Sequence, residues 1–294
     1  MTKHSILLIV CSWFTPFAAF AQGEMDSIPL LNPDTLIRRI SAISVTVPDA
    51  YRQGYFGVVG GGLTLQSRTR ITNEFWDPDG NASASFGLGN PEKYIGLELR
   101  VNIYGLGNKI GAPDNLGEGT FDIHISRLLV EDVWIGAGVY NLIGWDLEPP
   151  NRLVSYYVVG SKGILFNHDA KAFSRMYVSF GIGNGRFRAD EDYSILDQAP
   201  INFFGSMAVQ VMPEGNFIAE WNGYNMFSGL SLLPIKQWPI QIVVGIDDIF
   251  QKNRKLVVGG ALTFHLFRDE VSGRSLYSPF SMLAPPPVQT SRVY

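Results

Sequence analysis

Between residues 55 and 267 the chain alternates apolar and polar side chains in short runs, and this pattern restricts the possible folds more than any other feature. In Ile95-Gly96-Leu97-Glu98-Leu99-Arg100-Val101-Asn102-Ile103 the aliphatic residues take every odd position, while Glu98, Arg100 and Asn102 share the other face. Phe121, Ile123 and Ile125 alternate with Asp122, His124 and Ser126, and Leu262, Phe264 and Leu266 alternate with Thr263 and His265. Successive side chains of a β-strand point to opposite faces, so each segment has one apolar and one polar side. No apolar run beyond residue 22 approaches the roughly 20 residues that a membrane-spanning helix requires.

Runs rich in Val, Ile, Tyr, Phe and Gly, separated by Asn, Asp, Pro and Gly clusters, predict about twelve strands. They lie near 55–67, 82–89, 94–105, 119–129, 133–145, 153–166, 175–187, 201–212, 216–223, 226–234, 239–249 and 255–267. Alternation alone also fits a soluble sandwich. Two further features favour a closed antiparallel up-and-down barrel in a membrane. Aromatics fall near strand ends (Tyr94 and Tyr104, Trp134 and Trp145, Tyr177 and Phe187), as in interfacial girdles. Long polar links at 68–81, 106–118 and 188–200 alternate with tight ones at 90–93, 130–132 and 213–215. Long outer loops and short periplasmic turns give that rhythm.

The amino end reads as a secretory signal over residues 1–21. Lys3 precedes an apolar run from Ile6 to about Phe20, and Ala19-Phe20-Ala21 offers a small-residue cleavage site. Cys11 is the only cysteine and lies inside that segment, so the remaining chain of about 273 residues is expected to have no disulfide and no thiolate metal site. Without Lys3, 22 basic residues face 27 acidic ones, and no basic stripe is present. Nucleic acid is therefore not an expected partner. Residues 22–53 form an amino-terminal arm, expected either to plug the lumen or to lie in the periplasm. Residues 54–267 are the barrel, and residues 268–294, with Pro285-Pro286-Pro287, form an extended tail.

The closing run Leu262-Thr263-Phe264-His265-Leu266-Phe267 resembles the last strand of bacterial outer-membrane proteins, whose terminal aromatic is read by the barrel-insertion machinery. The segments Ser83 to Lys93 and Gly181 to Phe187 are similar to a family of uncharacterised exported barrel-like bacterial proteins. These resemblances imply location in the outer membrane of a Gram-negative bacterium, with the periplasm as the alternative. They also imply outer-membrane lipid, the insertion machinery and envelope proteins as partners.

Charged and polar residues expected on the inner face are Glu98, Arg100, Asp122, His124, Ser126, Arg127, Lys162, Glu220 and Asp247. Their mixed signs predict mutual pairing rather than a selective ring. Asp122, His124 and Ser126 offer the residue types of a nucleophile, base and orienting acid. The His-x-Ser spacing also resembles the outer-membrane phospholipases. Alternate positions on one strand lie about 7 Å apart, too far for direct hydrogen bonds, so a polar lumen face is the preferred reading. Asp77-Pro78-Asp79-Gly80-Asn81 reads as a turn rather than a calcium loop, because its Gly comes too early and position twelve is Leu88. The glycine runs are expected to give curvature and to pack opposite large residues, or to make room for a plug. The expected function is a non-enzymatic barrel without cofactor or metal, acting as a solute conduit or in an envelope or polysaccharide-export assembly. The alternatives are a lipid hydrolase using His124 and Ser126, and a soluble periplasmic binding protein.

Overall fold

The computed structural model describes residues 41–51, 53–68, 76, 78–106, 118–146, 153–166, 172–188, 200–235, 238–250 and 254–266. The signal segment, residues 22–40 of the arm, most of the long links and the tail lie outside these residues.

Twelve strands close into one antiparallel barrel, each pairing with its sequence neighbours and β1 pairing with β12. They are β1 Val58–Gln66, β2 Asp79–Gly89, β3 Gly96–Ile103, β4 Gly119–Val130, β5 Val133–Trp145 and β6 Ser155–Leu165, then β7 Arg175–Gly183, β8 Asn202–Met212, β9 Gly215–Trp221, β10 Met226–Leu232, β11 Ile240–Asp247 and β12 Lys255–His265. The even count brings the start of β1 and the end of β12 to one rim, with the short links at 90–95, 131–132 and 213–214. Closure leaves no unpaired strand edge.

The barrel carries its polar side inside. Thr120, Asp122, His124, Ser126, Ser161, Ser179, Glu220 and Ser231 are all buried. Leu63, Leu99, Phe121, Ile125, Val158, Phe180, Phe203, Leu230, Val244 and Leu262 are exposed. This reverses a soluble protein's distribution, since water-soluble monomers rarely expose continuous apolar area beyond a few hundred Å².

Part of the interior is filled by aromatic rings resting on inward-facing glycines. The Phe204 ring occupies the place of a Cβ on Gly181, and Tyr157 does the same at Gly138, Phe187 at Gly183 and Phe227 at Gly245. Phe187 and Phe204 stack at 4.3 Å between centroids. Across β12, β1 and β2, by contrast, the inner wall carries small side chains. Gly60 pairs with Thr263 and Ser85, and Gly62 with Ala261 and Ser83. The filling is therefore one-sided.

Three expectations need correction. Tyr104, Trp134, Tyr177 and Phe187 do not lie in a girdle: the last three are buried inside the barrel, and Tyr104 meets inward-facing Thr120. Trp134 shares its face with Gly136 and Gly138, whose missing side chains leave room for rings. The seventh strand stops at Gly183, and residues Gly185–Phe187 form a short 3-10 turn, with Gly185 at φ 60°. Arg127 and Lys162 point outward instead of into the lumen. Arg127 follows buried Ser126 and faces exposed Ile135 across the sheet. Lys162 follows buried Ser161 and shares a face with Tyr156 and Val158.

Candidate functional site

The inner wall and the arm together form the site. Residues 41–55 run inside the barrel as a loop whose backbone is hydrogen-bonded by wall side chains. Asn216 Nδ2 donates to the carbonyls of Ser41 and Ala42 at 3.1 and 3.2 Å, and Ser231 Oγ donates to Ala42 O at 2.7 Å. Deeper in the barrel the Glu220 carboxylate accepts from Val45 N at 2.6 Å and from Thr46 N and Oγ1 at 2.7 and 2.6 Å. A contact from Ser44 Oγ to the carbonyl of Val47 turns the chain, and Pro48 follows. The return leg donates from Ala50 N to Ser161 Oγ at 2.9 Å, and Gln53 O accepts from Ser126 Oγ at 2.6 Å.

Backbone partners explain why such an irregular segment tolerates burial, because buried amides and carbonyls must be satisfied. Packing adds to this. Ile43, Val47, Ala50 and Tyr51 join the buried apolar cluster with Trp134, Tyr157 and Tyr177. Tyr51 meets Trp134 at 5.7 Å and Tyr177 at 5.1 Å between ring centroids. Wall glycines let the arm approach closely. A Cβ on Gly96 would lie 2.5 Å from Gln53 O, and one on Gly163 would lie 2.9 Å from the Tyr51 hydroxyl.

Beside the loop, towards β1–β4, a polar cavity of about 240 Å³ remains. Thr64, Asn81, Ser83, Arg100, Tyr104 and Arg186 line it together with arm residues 44–49. Arg100 is held by Glu98 through two contacts, at 2.6 and 3.2 Å. The Arg186 guanidinium lies 5.1 Å from the Tyr140 ring centroid. Arm residue Asp49 faces this space, and burial raises its carboxyl from 3.8 to about 7, with Glu98 and Glu220 pushing the same way.

Asp122, His124 and Ser126 all face inward but form no relay. His124 Nδ1 lies 2.7 Å from the Tyr157 hydroxyl, and Ser126 Oγ is bound to the arm. Asp122 accepts from Asn102 Nδ2 at 2.6 Å and from Asn141 N at 2.8 Å. Asn141 sits at φ 57° in a β5 irregularity, so Asp122 pins a distorted strand in place. Asp247 pairs with Lys255 at 3.2 Å on the adjacent strand. Charges therefore pair along the wall, and Glu220 serves the arm instead. Asp79, Gly80 and Asn81, read as part of a turn, instead begin β2 and pair with β1, and Asp79 Oδ1 accepts from Gly80 N at 2.7 Å.

Sequence reasoning did not single out Arg186, Asn216, Ser231 or Asp49. Asn216 and Ser231 could have been found from strand alternation, because each is flanked by apolar or small neighbours. Arg186 follows Gly185 in an irregular turn and Asp49 lies in an irregular arm, where no periodicity marks a face. No protein-family model matches the chain, and neither does any curated protein.

Proposed function

We propose that this chain is a non-catalytic outer-membrane barrel of a Gram-negative envelope, a conduit for small polar solutes that its own arm holds nearly closed. The observation carrying this reading is the loop of residues 41–55, fastened by its backbone to Glu220, Asn216, Ser231 and Ser161 inside a wall whose outer face is apolar. A soluble β-protein gains nothing from exposing that outer face, whereas a bilayer covers it. The rim with the tight links and both strand ends is assigned to the periplasm, following the sidedness of bacterial barrels. The chain enters the membrane through the barrel-insertion machinery, with the Leu262 to Phe267 run as its signal. Solute passes along the small-residue wall of β12, β1 and β2, past Arg100 and Arg186, when the loop shifts.

The runner-up, lipid hydrolysis by His124 and Ser126, lacks geometric support. Ser126 Oγ is bound to Gln53 O of the arm, His124 Nδ1 is bound to the Tyr157 hydroxyl rather than to Ser126, and both side chains are buried inside the barrel. A base must reach the hydroxyl whose proton it takes. Ser126→Ala is expected to leave solute passage intact and to remove one arm contact. The check is a phospholipase assay on purified wild type and variant. Hydrolysis by the wild type that vanishes with Ser126→Ala would establish the enzyme reading and remove the conduit.

A further inference from the structure

Of the charged side chains on the described strands, only Arg127 and Lys162 take outward positions; Asp79, Glu98, Arg100, Asp122, Arg175, Glu220, Asp247 and Lys255 take inward ones. Both outward residues are basic. Among the described residues neither has a carboxylate within salt-bridge reach, and the outward neighbours in register are apolar: Ile125, Leu129 and Ile135 beside Arg127, and Val133, Ile164 and Val178 beside Lys162. They lie close together on the sheet. Arg127 faces Ile135, which faces Gly160, and Lys162 lies two positions beyond Gly160 on β6, opposite Val133. Gly160 adds no side chain on β6 beside Lys162 and across Ile135 from Arg127: a Cβ there would touch only backbone oxygens, at 3.9 and 4.0 Å. Val133, which directly follows the tight 131–132 link and lies opposite Lys162, marks the rim near which both cations stand.

Two unpaired cations on an apolar wall are unfavourable unless an anion meets them. We infer that Arg127 and Lys162 form a binding site for the phosphate of an anionic phospholipid, seated over Gly160 in the leaflet at the tight-link rim. This rests on the reading above that lipid covers the outer wall. An anionic lipid fits on two counts. Its phosphate supplies the missing charge, with the guanidinium able to donate two parallel hydrogen bonds. Its acyl chains then lie along Val158, Phe180 and Ile135, the apolar side chains that surround Gly160.

The test uses the full-length chain, purified in detergent, stripped of lipid and titrated with phosphatidylglycerol or phosphatidylcholine, with bound lipid read by native mass spectrometry. The wild type is expected to prefer phosphatidylglycerol. R127Q/K162Q should lose that preference, by roughly fivefold for each cation removed. R127K/K162R, which keeps both charges, should retain it. Folding of each variant is read from its heat-modifiable migration. Equal phosphatidylglycerol preference in wild type and R127Q/K162Q overturns the site. Unchanged lipid binding with loss of self-association in R127Q/K162Q also overturns it, in favour of a protein contact. A wild type that stays monomeric without detergent defeats the membrane reading instead, so the two failures are distinguishable.

Discussion

Leu99→Arg is expected to abolish accumulation of folded barrel, while Arg100→Leu leaves it assembled. The two residues are neighbours on β3 and differ in the side they face. Leu99 is 41% exposed and pairs with Phe86 and Ile123 on the outer wall. Were that wall in water, replacing an exposed Leu by Arg would change stability by no more than about 0.5 kcal/mol. In lipid, Arg near mid-strand costs about 2–4 kcal/mol. Arg100 faces the lumen with 37% of its side chain accessible, so its loss leaves Glu98 to water and to its neighbours rather than to hydrocarbon. Unfolding in vesicles and the yield of heat-modifiable protein both read the difference. Normal assembly of Leu99→Arg would remove the lipid-facing wall from the account.

Deleting residues 22–53 should turn low conductance in planar bilayers into a larger, stable one. The deletion takes out the loop that Glu220, Asn216, Ser231 and Ser161 hold. Glu220→Ala is the milder variant. It removes three hydrogen bonds to a buried carboxylate, each worth about 1.5–3 kcal/mol. It should give intermittent opening in an otherwise intact barrel. Asp49 adds a pH dependence. Its carboxyl is raised to about 7 in the docked loop, against 3.8 ordinarily, so docking takes up a proton. Docking is strongest below about 4 and weakens as pH rises through about 7. Openings should accordingly be more frequent at alkaline pH, and Asp49→Asn should flatten the profile. A large conductance in the intact chain, unchanged by the deletion, would contradict a closing role for the loop.

The strand pattern was legible because each strand meets two different environments, and Leu97, Leu99 and Val101 against Glu98, Arg100 and Asn102 record both. The outward position of Arg127 was legible in principle. Asp122, His124 and Ser126 set the inward parity of β4, which leaves residue 127 on the other face. For Lys162 the sequence carries no such signal, because Tyr156 to Val159 are apolar on both faces: the inward ones pack in the core. Interior aromatics depend on which glycine a ring meets across the sheet, as with Phe204 on Gly181, and pairing register is not written in either segment alone. The loop was hardest to read. Wall side chains hold it mainly through its amides and carbonyls, which every residue type supplies.

Membrane residence is tested most directly by extracting the protein from expressing cells and comparing heated with unheated samples. The account predicts that the chain sediments with outer membranes, enters solution only with detergent, and migrates faster unheated than boiled because the closed barrel resists the detergent. Release by osmotic shock as a monomer that stays soluble without detergent, with identical migration before and after boiling, would contradict it.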